Sequence, residues 1–186
     1  HMNNAHSGLS PSPWVERFAS LIPRNGTILD LACGAGRHTR FLTGQDYNVV
    51  ALDRDVSKLG DILEEPRLEI VEADLENGNP WPLPDRLFSG IIVTNYLFRP
   101  LFPMLLNALA EDGVLIYETF ALGNEQFGKP ANPAFLLRPG ELLSTVQDKL
   151  RVVAFEEGVI EQPRQAVVQR LCALRTKDKS PAPRLD

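Results

Sequence analysis

The chain has 186 residues, room for one domain of ordinary size and little more. Hydrophobic residues make up 44% and charged residues 23%, a globular composition that excludes an extensively disordered chain. A net charge of −5 without any cluster of Lys or Arg argues against a nucleic-acid partner, though not against a small anion held by one or two arginines.

His1-Met2 reads as a tag remnant, and residues 1–11 as a flexible start. A helix is predicted from Pro13 to Ile22, where Trp14, Val15, Phe18, Leu21 and Ile22 recur at helical spacing. Thr27 to Leu31 reads as a short buried strand, followed by a glycine turn and a helix from Arg37 to Thr43. A second strand is expected from Tyr47 to Asp53, then a helix from Val56 to Leu63 with Asp55 as its cap. Leu68 to Val71 gives a third strand, and the three prolines of residues 76–86 exclude a helix there. Leu87 to Thr94 is the fourth strand. A helix from Phe102 to Ala110 is closed by Glu111-Asp112-Gly113 and precedes a fifth strand, Val114 to Thr119. Residues 120–137 form a long glycine- and proline-bearing excursion, expected to act as a lid over the substrate. A helix from Pro139 to Lys149 leads to two antiparallel strands near Arg151–Glu156 and Ala166–Arg175. The polar, proline-rich residues 177–186 read as a flexible tail, leaving residues 12–176 as the domain.

Strands alternating with helices predict an α/β, doubly wound, Rossmann-like sheet of about seven strands, mostly parallel with the last strand antiparallel. No apolar run approaches the roughly 20 residues that span a bilayer, so no membrane association is expected and cytoplasmic residence is the default. Cys33 and Cys172 lie far apart and outside any CxxC, so neither a metal nor a redox pair is expected. Oligomeric state is not legible.

The sharpest motif is Ile28-Leu29-Asp30-Leu31-Ala32-Cys33-Gly34-Ala35-Gly36. A buried strand carries an acid near its end, and a turn of small residues opens a helix whose free N–H groups can meet a ligand. The dinucleotide fingerprint G-x-G-x-x-G is only partly met, because Thr39 stands where its third glycine belongs. Taken alone, acids at strand ends serve as helix caps about as often as they bind ligands.

The segment resembles motif I of class I S-adenosylmethionine-dependent methyltransferases, acid-x-Gly-x-Gly-x-Gly, with Ala32 in place of the first glycine. Val49-Val50-Ala51-Leu52-Asp53, Val71-Glu72-Ala73-Asp74-Leu75 and Glu111-Asp112-Gly113-Val114-Leu115 resemble the family's later motifs in order, so the likeness spans about residues 12–175. It implies S-adenosyl-L-methionine as cofactor. The resemblance places Asp53 at the ribose hydroxyls, Asp74 and Leu75 at the adenine, and Asp30 near the methionine ammonium. It also places Ala32, Cys33, Gly34 and Gly36 along the methionine moiety, with Arg37 as a partner for its carboxylate. Arg54, Thr94 and Asn95 complete the expected cofactor set. The whole also resembles compact bacterial methyltransferases, including the tellurite-resistance group, which implies a small-molecule acceptor. An enzyme acting on RNA or protein and a catalytically silent binding module are the alternatives.

Ligands of open α/β sheets lie beyond the carboxyl ends of the strands. Tyr96, Arg99 and Glu118 are therefore the catalytic candidates, with Tyr117 as a further base unless it belongs to the core.

Overall fold

The computed structural model describes residues 10–177 and 180–186. The tag remnant and residues 3–9 lie outside that range. Seven strands form one sheet: β1 (Thr27–Leu31), β2 (Asn48–Asp53), β3 (Leu68–Glu72), β4 (Phe88–Thr94), β5 (Leu109–Phe120), β6 (Arg151–Ile160) and β7 (Ala166–Leu174). Their order is β3-β2-β1-β4-β5-β7-β6. The pairs from β3 to β5 are parallel, and β7 runs antiparallel to both β5 and β6, as the sequence predicts.

The central strands are near-continuous apolar runs because both of their faces are covered. Ile28, Val49, Ile92 and Ile116 pack on one face against α1 (Pro13–Phe18) and α2 (Arg37–Gly44) through Trp14, Val15, Phe18 and Leu42. Leu29, Val50, Ile91, Val93 and Leu115 pack on the other face with α3 (Phe102–Ala108) and α4 (Glu141–Val146) through Leu105, Leu106, Leu142 and Val146. Parallel pairing brings the carboxyl ends of β1 to β5 to one edge of the sheet. Because β7 is antiparallel, its start at Ala166 lies on that same edge, paired with Ile160 at the end of β6. The β6–β7 turn therefore stands beside the ligand edge.

Four expected helices change, the first ending its α part at Phe18 and continuing as a 3-10 turn over Ala19–Leu21. Residues 56–63 form a 3-10 segment, Ser57–Ile62, in which only Leu59 is buried. One buried anchor and Gly60 leave little to stabilise an α-helix there. Asp55 still accepts a hydrogen bond from the Ser57 N–H at 2.9 Å. The helix expected to reach Ala110 stops at Ala108, because Leu109 pairs with Phe88 and begins β5. Residues 111–113, read as a turn, are absorbed within β5, and the register resumes at Val114 opposite Gly90. The last helix contracts to Glu141–Val146, preceded by Gly140 with φ 69°. β6 conversely runs on to Ile160, since β7 offers it a partner along its whole length.

Candidate functional site

Where β1 ends, the backbone turns through left-handed conformations at Ala32 (φ 55°), Gly34 (φ 56°) and Gly36 (φ 81°). Gly36 is required sterically, since a Cβ there would lie 2.6 Å from Leu59 Cδ2. At Gly34 a Cβ would meet no atom within 4 Å, so this side of the turn is open to a ligand. The turn is pinned by bonds from the Cys33 N–H to the Leu52 carbonyl (3.0 Å) and from the Gly36 N–H to the Cys33 carbonyl (2.9 Å). Asp53, at the end of β2, holds it from outside: one carboxylate oxygen accepts from the Gly34 N–H at 2.9 Å and the other from the Asp55 N–H at 3.0 Å.

Asp30 is buried and accepts the Thr39 hydroxyl at 2.7 Å. This bond explains a threonine where a dinucleotide site would have glycine. Burial pushes the Asp30 carboxyl up to about 6, against the opposing pull of Thr39 and Arg37. Cys33 packs with Ala51 and Leu59, and burial drives its thiol upward, away from any nucleophilic role.

Among the described residues, two of the cavities along the carboxyl edge are lined by residues of the expected site. The first, about 220 Å³, lies beyond β1 to β3 and is lined by Ala32, Asp53, Arg54, Asp74, Leu75 and Tyr96, with Glu76 beside them. The Tyr96 hydroxyl donates to Glu76 at 3.0 Å. Burial and this carboxylate raise the phenol further above neutrality, so Tyr96 is a wall of this cavity and unsuited as a base, contrary to expectation.

The second cavity, about 450 Å³, lies on the other side of Asn95. Asn95 adopts φ 55°, so it lines the second cavity while the next residue, Tyr96, lines the first. Its walls are residues 10–13, Arg37, Glu118 and Phe120 of β5, the β6–β7 turn, and Val168 and Arg170 of β7. Glu118 is clamped here: it pairs with the Arg170 guanidinium and accepts the Ser12 hydroxyl at 2.8 Å. Arg170 also bonds Glu156 at 2.9 Å. The Ser12 N–H donates to His38 Nε2 at 3.0 Å, and His38 Nδ1 lies 3.5 Å from the Thr94 hydroxyl.

Burial, helped by Arg37, pushes His38 down to about 3. Its neutral form is thus favoured by folding. The associated stability is complete above the ordinary value of 6.5 and falls away as pH drops toward 3. Asp30 acts in the opposite sense between pH 3.8 and 6, where folding favours its protonated form. Thermal denaturation should therefore show wild type losing stability more steeply than His38→Gln between pH 6.5 and 4.5. Parallel curves would contradict a neutral, hydrogen-bonded His38.

Arg99 does not reach either cavity's lining. It pairs with Glu141 at 2.6 and 2.9 Å and donates to the carbonyls of Leu136 (2.9 Å) and Ala134 (3.3 Å). It is a staple that ties the start of α3 to the segment before α4. Tyr117 lies in the core with its hydroxyl on the Tyr96 carbonyl at 2.8 Å. Residues 120–137 contribute only Phe120 to the described lining of the second cavity. They are bound down by mutual bonds at Leu122, Leu137 and Phe120 and by Asn124, which accepts from the Val167 N–H at 3.0 Å. The walls facing the cavity are residues 10–13 and the β6–β7 turn instead.

Sequence reasoning missed Ser12, Glu76, Arg164 and Arg170. Two signals were available. Ser12-Pro13 has the form of a helix cap followed by proline, and Ser12 does accept from the Trp14 N–H at 3.1 Å. An arginine within the apolar run Ala166–Leu174 demands a buried acidic partner.

A family model described as tellurite resistance protein TehB matches residues 15–113, more than half of the chain. The chain belongs to the TehB family. Its fold is one shared with solved S-adenosylmethionine-dependent methyltransferases. Among solved structures, TehB from Haemophilus influenzae is similar with a TM-score of 0.70 at 18% identity, covering 88% of this chain and 61% of that one. The chain thus spans less than two thirds of that relative. A SAM-dependent methyltransferase from Methanosarcina mazei aligns with a TM-score of 0.66 at 13% identity over 91% of this chain and 100% of its own. A 1,6-didemethyltoxoflavin-N1-methyltransferase from Burkholderia thailandensis, with bound 1,6-didemethyltoxoflavin and S-adenosylhomocysteine, aligns at 0.65 and 18% over 94% and 80%. Likenesses at these identities establish the fold. No curated protein matches the sequence. Among the described residues of this family member, no helix is long and apolar enough to cross a membrane.

Proposed function

We propose that residues 12–176 form an active methyltransferase that holds S-adenosyl-L-methionine along the 32–36 turn and the first cavity and methylates a small molecule in the second. The observation that carries this reading is the junction at Asn95–Tyr96, where consecutive residues line two adjoining cavities at the carboxyl edge of the sheet.

The residues present fit the cofactor. The open side of Gly34 gives a close backbone approach. Asp53 offers a carboxylate to vicinal hydroxyls, and Asp74 with Leu75 offers an acceptor and an apolar edge to a purine. Ala32, Cys33, Gly34 and Gly36 supply the backbone cradle, with Asp30 beneath it and Arg54, Thr94 and Asn95 around it. Arg37, in the wall of the second cavity, is the cation offered to the methionine carboxylate. The bound cofactor supplies a methyl group on a positively charged sulfur, activated before it meets the protein. The chain's own task is alignment and exclusion of water. Glu118 serves as a clamp on Arg170 and the 10–13 segment, which leaves no described group in the second cavity free to take a proton. We read the acceptor atom as one that reacts without losing a proton to the protein.

A cavity of about 450 Å³ suits a small molecule, and the chain's acidic balance disfavours a polyanion. A bacterial cytoplasm suits the two free, buried cysteines. The experiment is a label-transfer screen with methyl-tritiated S-adenosylmethionine against a metabolite library, bulk tRNA and cell protein. Label is expected in the small-molecule fraction. Label confined to tRNA or protein would sink the acceptor assignment, and no transfer to any of the three would favour a silent binding module.

A further inference from the structure

We infer that the second cavity selects an organic anion with an apolar body, an assignment that rests on the methyltransferase reading. The net charge of the chain is −5, yet this cavity is lined by three arginines, Arg37, Arg164 and Arg170, against one carboxylate, Glu118. Arg170 is neutralised by Glu118 and Glu156. Arg37 acts on the Asp30 carboxyl and is offered to the cofactor's carboxylate, whereas Arg164, among the described residues, has no carboxylate partner. Arg164 spends one N–H on the Lys129 carbonyl at 2.8 Å, and its guanidinium sits 5.5 Å from the centre of the Phe120 ring. Held over an aromatic wall, that guanidinium keeps donors available to a carboxylate or similar group.

Pro11, Pro13, Phe120, Ile160, Pro163 and Val168 give the cavity a broad apolar wall, alongside the polar Ser10, Ser12, Asn95 and Gln162. The family description names tellurite, a bare oxyanion. Such an ion would satisfy the cations but leave most of a cavity of about 450 Å³ and its apolar wall filled with water. A molecule that carries its charge at one end and a flat hydrocarbon body at the other uses both features.

The test is calorimetry on the full chain saturated with S-adenosylhomocysteine, titrated with 2-naphthoate, 2-naphthamide and sodium tellurite. Naphthoate should bind at least about tenfold more tightly than its neutral isostere, the gain of one charge-assisted contact. Arg164→Ala should bring that preference below about threefold while S-adenosylhomocysteine affinity stays unchanged, and Arg164→Lys should retain most of it. Equal binding of amide and carboxylate, absence of naphthoate binding, tellurite as the sole ligand, or an Arg164→Ala preference equal to wild type would each overturn the inference. The preliminary S-adenosylhomocysteine titration separates the two readings: its failure overturns the methyltransferase assignment, whereas its success with no preference for the anion overturns the acceptor class alone.

Discussion

Replacing Asp53 with alanine is expected to weaken S-adenosylhomocysteine binding by about 1–3 kcal/mol, or roughly 5- to 150-fold. Two losses combine. The Gly34 N–H, held at 2.9 Å, loses the acceptor that shapes the turn, and the first cavity loses the carboxylate offered to ribose hydroxyls. Asp53→Asn keeps one neutral acceptor and should fall between the two. Calorimetry on the three proteins measures this, with NAD as the comparison ligand. Unchanged affinity in Asp53→Ala, or NAD binding as tight as S-adenosylhomocysteine, would overturn the assignment of the first cavity. Thermal denaturation beside it separates a binding defect from a folding one.

The largest stability effect is expected from Arg170→Leu. The side chain of Glu118 is only 9% exposed and depends on Arg170 as its cation. Breaking such a pair from one side leaves a buried charge, at a cost of about 3–5 kcal/mol. For a chain of this size that lowers Tm by roughly 6–20 °C. The orphaned carboxyl should then be held above its ordinary range in the folded state. The variant's stability deficit should therefore shrink at low pH and widen as pH rises through the carboxylate range. Glu118→Gln/Arg170→Leu removes the charge with its partner and should recover most of the loss. An Arg170→Leu protein within 1 kcal/mol of wild type, as judged by urea denaturation, would show that the pair is solvated and that Glu118 is free for other chemistry.

What the sequence determined by itself is the part of the fold written in local pattern. The apolar runs of β1, β2 and β4 announce strands covered on both faces, and the observed ranges match them closely. The small residues between Leu31 and Arg37 announce the open turn, because only small side chains tolerate its left-handed backbone and the approach of Leu59 to Gly36. Asp53, Asp74 and Glu118 stand at strand ends, and a parallel sheet carries such ends to one edge without further instruction. That convergence brings Asp53 and Asp74 to the first cavity and Glu118 to the second, while Glu76 carried no such mark.

Tertiary structure decided everything that depends on which distant residue answers a given side chain. Arg99 meets Glu141, 42 positions away, and so becomes a staple of the 133–141 segment. Glu118 meets Arg170, 52 positions away, and so becomes a clamp. Local periodicity names neither partner, even where Arg170 interrupts an apolar run. The reach of β6 to Ile160 is likewise set by its pairing with β7, and that reach builds the wall that the 120–137 excursion was expected to supply. Residues 57–62 tighten to a 3-10 turn because Leu59 alone is buried. The physical division is between the backbone's response to neighbouring residues, which a linear pattern encodes, and the pairing of buried charges and strand edges. Those partners are chosen only when the sheet brings remote segments together.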